Sequence, residues 1–253
     1  MGASVSTLEL PKSSKATVAA AIALLCVAFY LVSRRADATI WTAILAFFIS
    51  GFLADLFTAL AHFGFDYVFP YDMPILGPVA REFREHHDCP TLDPSDYVVN
   101  FSKGAYCSIP VSSLVCGASL LTDERTLPFL VLATLLGMST WAFFFHQIHS
   151  YAHMGSTLQP EDFKERVAAI SRLSNQAEQI AEFDKLFATV PIPPWIRVLQ
   201  RCRLILNPRT HNLHHIFFLS DFSSVNGWSD PLINLVLRPL ARRMKMRQET
   251  AQP

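Results

Sequence analysis

Four apolar stretches dominate the first 145 residues, and each is long enough to cross a bilayer. They run 17–32, 40–61, 105–121 and 127–145, between 16 and 22 residues apiece, against the roughly 20 that ~30 Å of hydrocarbon requires. Ser33-Arg34-Arg35 closes the first stretch. It is a poor small-residue cleavage site and three more stretches follow, so 17–32 reads as a span and not as a signal peptide. The expectation is an all-α membrane protein of four transmembrane helices with a histidine-rich helical cap. Composition agrees: hydrophobic residues make up 51%, charged residues only 17%, and the mean hydropathy is +0.28, where soluble domains carry about 25% charge.

Lys and Arg fix the expected orientation. Four spans put 1–16, the 62–104 loop and everything past the fourth span on one side, which holds 18 of the 21 Lys and Arg; the other side holds Arg34, Arg35 and Arg125. Counting only as far as residue 170 still leaves seven (Lys12, Lys15, Arg81, Arg84, Lys103, Lys164, Arg166) against three. The positive-inside rule then puts both termini and the large loops in the cytosol. The start Met1-Gly2-Ala3-Ser4-Val5-Ser6 fits the short myristoylation pattern, which an integral protein does not need for anchoring.

The chain has no net charge, which excludes a nucleic-acid binder working by bulk electrostatics. Its five cysteines (Cys26, Cys89, Cys107, Cys116, Cys202) form no CxxC pair, which excludes a cysteine zinc ribbon and argues against a disulfide framework.

Nine histidines fall in four clusters: His62; His86 and His87; His146, His149 and His153; His211, His214 and His215. In the expected topology all four clusters meet at one membrane face. His149 and His153 share a helical face at i,i+4, with His146 at i−3 from His149. His211, His214 and His215 share another. Asp55 and His62 are two turns apart, while His62–Asp66 and Glu82–His86 are i,i+4 pairs. Neutral imidazoles gathered in one place suit iron or zinc, with carboxylates as ligands or outer partners. Asp55 inside an apolar span is costly unless it faces the interior and finds a partner. His146 is either a further ligand or an interfacial residue. A single zinc site needs about three ligands and an open position. The supply here suits a di-metal, oxygen-activating centre of the kind needed to attack a saturated C–H bond.

The motifs resemble those of the Kua-type lipid desaturases. Asp55-x6-His62-Phe63-Gly64-x-Asp66 is similar to that family's D-x6-H-W-G-x-D, with Phe63 in place of the usual Trp. Phe83-Arg84-Glu85-His86-His87-x-x-Pro90 resembles F-R-E-H-H-x-x-P. Gln147-Ile148-His149-x3-His153 resembles Q-I-H-x3-H, and His211-x-x-His214-His215 resembles H-x-x-H-H. Segments at Pro194-Trp195-Ile196-x3-Gln200 and Gly227-Trp228-x2-Pro231-Leu232 are similar as well. The resemblance covers roughly 40–155 and 192–240.

That resemblance implies one lipid desaturase domain over 1–253 in the endoplasmic reticulum membrane. It implies two iron ions on His62, His86, His87, His149, His153, His211, His214 and His215. Asp55, Asp66, Glu82, Glu85, His146 and Gln147 remain as outer-shell or additional ligands. The implied reaction is O2-dependent insertion of a vinyl-ether double bond into the alkyl chain of an ether phospholipid, giving a plasmalogen, with cytochrome b5 and its reductase as electron donors. A plastid branch sharing the histidine order tends to have Gly where Glu85 stands. It also carries a Ser-rich transit peptide, which sixteen residues before the first span do not supply. An acyl-lipid desaturase or hydroxylase on the same metals is the alternative, and a non-catalytic, zinc-stabilised membrane adaptor a further one.

Two segments depart from this pattern. Residues 156–191 read as an amphipathic insertion: Phe163, Val167, Ile170, Leu173, Ala177, Ile180 and Phe187 recur at helical spacing among charges, predicting one helix ended by Pro191, Pro193 and Pro194. It caps the cytosolic domain or docks on the membrane or on an electron donor. Residues 192–253 complete the cap, and 232–247 join apolar residues to Arg238, Arg242, Arg243, Lys245 and Arg247, a candidate for anionic headgroups.

Overall fold

The computed structural model describes residues 14–74, 76–90, 92–154, 158, 160–187 and 191–251. The Gly2 pattern and most of the N-terminal tail lie outside the described residues. Among those residues there is no strand. Four helices are long and apolar enough to cross a membrane: α1 (Lys15–Ser33), α2 (Ile40–Phe63), α4 (Tyr97–Leu121) and α5 (Phe129–Ala152). Helix α3 (Leu76–Asp88) lies in the α2–α4 connection. Helices α6 (Pro160–Ser171), α7 (Gln176–Leu186), α8 (Pro194–Arg201), α9 (Pro208–Phe217) and α10 (Asp230–Ala251) follow α5.

The starts of α1 and α2 are written locally. Ser14 accepts from Thr17 N at the start of α1, and Thr39 and Thr42 form a reciprocal capping box at the start of α2, satisfying amides that the first turn leaves unpaired. Packing runs chiefly α1 on α4, α4 on α5 and α5 on α2. Close approach needs small residues. A Cβ on Gly104 would lie 2.1 Å from the Phe143 carbonyl oxygen, and one on Gly137 2.3 Å from Ser50 Oγ. Between α4 and α5 the hydroxyls of Ser108 and Ser112 each bond that of Ser139, at 2.9 and 2.7 Å, the small-and-polar contact that substitutes for hydrophobic drive in lipid.

At one end of the bundle, buried Arg35 donates to the carbonyls of Thr122 (2.6 Å) and Leu127, and Asp37 accepts from Phe129 N at 2.7 Å. These bonds fasten the α1–α2 turn to the α4–α5 loop. The other end carries the histidines.

Two spans differ in length from their hydropathic stretches. Helix α2 continues past Ala61 and runs on as a π-helical turn (Gly64–Val68), closed by Phe69 N to Gly64 O at 2.8 Å, so the 62–104 loop begins inside a helix. Helix α4 starts at Tyr97 and not at residue 105. Its polar first turns find partners: Asn100 bonds Gln147, Ser102 bonds the Ser14 backbone, and Lys103 pairs with Glu82. The 156–191 segment contains two helices, not one. Asn175 caps α7 by accepting from Ala177 N, and Gln179 donates to Leu173 O at 2.7 Å, so the Ser174-Asn175 pair serves a turn and a cap in preference to a helix interior. The two helices still share an apolar core of Phe163, Ile170, Phe183, Leu186 and Phe187.

Candidate metal centre

Helix termini bring the clusters together. His62 lies on the last turn of α2 and Asp66 four residues on, in the π turn, an element common at functional sites. His86 and His87 end α3, His149 and His153 end α5, and His211, His214 and His215 lie on α9. Two ligand groups result. One gathers His86, His149, His153, His211 and His215; the other His62, Asp66, His87 and His214. Within each group the donor atoms all lie within 4.8 Å of one another.

The donor set fits cations. In the first group Nε2–Nε2 separations are 3.2 Å (His86–His149), 2.8 Å (His149–His211), 3.1 Å (His149–His153), 3.0 Å (His153–His211) and 3.1 Å (His211–His215). Ligand bonds of about 2.1 Å place neighbouring ligands about 3.0 to 3.4 Å apart, depending on octahedral or tetrahedral geometry. A neutral imidazole has one N–H. His149 Nε2 faces the Nε2 atoms of His86, His153 and His211, more partners than one proton serves, and a cation satisfies them all.

In the second group His62 and His87 approach to 3.0 Å, and His87 and His214 to 3.3 Å. Asp66 oxygens lie 3.5–3.7 Å from His62, His87 and His214 and have no hydrogen-bond donor, though both are buried. An isolated buried carboxylate is costly; a metal among those atoms neutralises it. His214 Nδ1 donates to Ser220 O at 2.9 Å, which turns the Nε2 lone pair toward Asp66 and His87, as ligating histidines require. His62 Nδ1 lies 3.3 Å from Ser224 Oγ.

Burial, followed by repulsion from neighbouring imidazoles, holds His86, His87, His153, His211 and His215 well below the ordinary histidine pKa. They are therefore neutral, ligand-ready bases near pH 7. Phe83 and Phe222 pack on His62, and Phe218 on His87, limiting water.

The remaining candidates stand elsewhere. Asp55 is buried and belongs to neither ligand group. It accepts from the amides of Asn226 (2.9 Å), Gly227 (3.0 Å) and Ser229 (2.9 Å) and from the Ser229 hydroxyl (2.7 Å), clamping the turn before α10 onto α2. Gly227, at φ +78°, supplies the backbone conformation that turn needs. Gln147 donates to Pro94 O and accepts from Asn100, whose Oδ1 lies 3.1 Å from His146 Nδ1. His146 and Gln147 thus belong to a polar network beside the centre, and His146 is in neither ligand group. Glu82 pairs with Lys103, and Glu85 is exposed. Sequence reasoning missed Asn100, Ser220 and Ser224; for Asn100 the signal was a lone amide beside an apolar stretch.

An apolar cavity of about 810 Å³ runs along α5 from Phe129 to Tyr151, walled by α1, α2 and α8, and reaches Gln147 and Ile148 beside His149.

Four helices fit to cross a membrane, with two groups of histidines gathered at one end that could each hold a metal ion, describe an integral membrane protein with a candidate metal centre. The chain belongs to the lipid desaturase domain family, whose profile matches residues 51–190. The matched stretch takes in the 156–190 segment and ends before His211, His214 and His215, which the fold returns to the other ligands. The chain is also similar to a plasmanylethanolamine desaturase of Myxococcus xanthus, 24% identical over 209 residues, covering 81% of this chain and 60% of that protein. It therefore spans less than two thirds of that relative's length. No solved structure matches the chain.

Proposed function

We propose that the protein desaturates ether phospholipids, converting the alkyl ether of a plasmanyl lipid to the vinyl ether of a plasmalogen. The observation that carries this reading is the pair of adjoining ligand groups, eight imidazoles and one carboxylate, in a chain of the lipid desaturase family whose apolar cavity reaches Gln147 and Ile148, the residues next to His149 in the chain. Two iron ions held there supply, from O2, the oxidising power that a saturated C–H bond demands. His86, His149, His153, His211 and His215 hold one ion, and His62, Asp66, His87 and His214 the other.

The chain's own part is binding and positioning. The cavity walls take up the alkyl tail, and Phe83, Phe218 and Phe222 keep water from the ligands. Because the ligands sit at the ends of α2 and α5, the bond presented is the one nearest the headgroup. That depth suits the first two carbons of an ether chain better than mid-chain carbons. Removal of two hydrogens, with two electrons and two protons from outside, reduces O2 to two waters. The chain has no glycine-rich nucleotide loop, in keeping with an external donor of the cytochrome b5 kind. We place the protein in the endoplasmic reticulum on its resemblance to the lipid desaturases, and orient the histidine end and both termini toward the cytosol on the Lys and Arg distribution.

The test is a lipid profile of cells lacking the protein, complemented with wild type or His149→Ala. Restoration of acid-labile vinyl ethers by wild type alone supports the reading. Unchanged vinyl ethers with an altered acyl double bond would make the substrate an acyl lipid.

A further inference from the structure

A second, smaller cavity of about 250 Å³ lies where α3, α6, α7 and α9 meet. It shares no residue with the apolar cavity. Of the nine ligands only His87 and His215 line it, and they come from different ligand groups. Both side chains are otherwise enclosed, His87 at 4% and His215 at 1% exposure. Its outer wall is Val167, Ala168 and Ser171 of α6 and Phe183 of α7, and its rim holds the exposed Lys164–Asp88 pair at 3.3 Å. At roughly 30 Å³ per liquid water it has room for several waters, hence for a hydrated ion. Most of its wall is apolar, but Lys164, Asp88 and Ser171 give it a larger polar share than the bigger cavity, which is almost wholly apolar.

We propose that this cavity is the water-side port of the metal centre: hydrated divalent cations and other small water-soluble ligands enter under the α6–α7 pair and reach both groups at once, while lipid enters by the separate apolar cavity. The inference rests on the reading of the two groups as metal sites. It gives α6 and α7 a task, as the wall of an aqueous entrance.

Full-length protein in detergent, stripped of metal, is mixed with Co2+, and uptake is followed by the visible absorption of the imidazole-bound ion. Ala168→Trp and Ser171→Trp, at exposed positions on the wall, are expected to slow uptake roughly tenfold, the effect of about 1.4 kcal/mol of added barrier, with the final absorbance unchanged. Ala133→Phe, in the apolar cavity, is expected to load at the wild-type rate. Wild-type rates in both Trp variants, or equal slowing by Ala133→Phe, overturn the port. A wild-type protein that takes up no cobalt removes the metal reading itself, and the port with it. Should a Trp variant reach a lower final absorbance, Val167→Ala decides: a wider mouth speeds uptake if the port is real and leaves it unchanged if not.

Discussion

His86 and His87 are consecutive in the chain, yet they serve different ligand groups. Adjacent residues on a helix point about 100° apart, so the end of α3 faces both groups simultaneously. His214 and His215 on α9 do the same from the opposite side, His214 joining Asp66 and His215 joining His149 and its neighbours. Each His-His pair is therefore a strut between two sites, and a shift of either helix disturbs both.

Asp66 is the one carboxylate in either group. Asp66→Asn keeps its shape and removes its charge. We expect bound metal to fall by about one ion per chain, from the group of His62, His87 and His214, since that group loses its only anionic ligand. Elemental analysis of the purified variant checks this; an unchanged content would make Asp66 an outer-shell residue.

Asp55 acts at a distance. Asp55 receives four hydrogen bonds from Asn226, Gly227 and Ser229, and a buried donor left without its acceptor costs about 1–3 kcal/mol. Asp55→Ala is expected to lower the thermal midpoint in detergent and to weaken metal retention without touching a ligand, with Asp55→Asn milder. A wild-type midpoint would contradict the clamp.

Burial, opposed by the bonds from Ser223, pushes Asp230 up to about 7. Its folded pKa exceeds its ordinary value of 3.8, so the folded form binds the proton more tightly. The stability it contributes is full below pH ~4 and is lost by about pH 7, at most about 4 kcal/mol at 1.36 kcal/mol per unit. Asp230→Asn removes this loss. The difference in thermal midpoint between variant and wild type should grow in the variant's favour from pH 5 to pH 8; a constant difference would show that Asp230 does not titrate there.

Gly104 leaves no room for a side chain, because the obstacle is the Phe143 backbone. Gly104→Ala should destabilise the α4–α5 contact by about 1–3 kcal/mol, the usual cost of overpacking, as thermal unfolding will read.

Ala133 lines the apolar cavity about four turns from His149, or roughly 24 Å at 1.5 Å per residue. Ala133→Phe fills that far end and should shift the desaturated products toward shorter alkyl chains. Mass spectrometry of the vinyl-ether lipids measures the shift, and an unchanged chain-length profile would put the alkyl tail elsewhere.

Hydropathy made the four spans legible, since four such stretches in so short a chain have too little other protein to bury them. Their ends were less so. Asn100, Ser102 and Lys103 look like loop residues until Gln147, the Ser14 backbone and Glu82 arrive from elsewhere in the chain. Helical spacing likewise put Glu82 and His146 on plausible faces, but spacing carries no information about long-range partners, and Lys103 and Asn100 engage them. The division of neighbouring histidines between two groups depends on how α3 and α9 are rotated, which packing decides.

The Asp55 clamp joins an early helix to a late turn of the chain. When α5 has entered the bilayer, His62, Asp66, His86, His87, His149 and His153 are already made, while His211, His214 and His215 are still to come. Until Asn226–Ser229 returns to α2, Asp55 stands as an uncapped carboxylate in a lipid-embedded helix, an expensive state. An unfinished chain thus carries an unmet carboxylate, satisfied only once residues beyond the last three histidines have returned to α2.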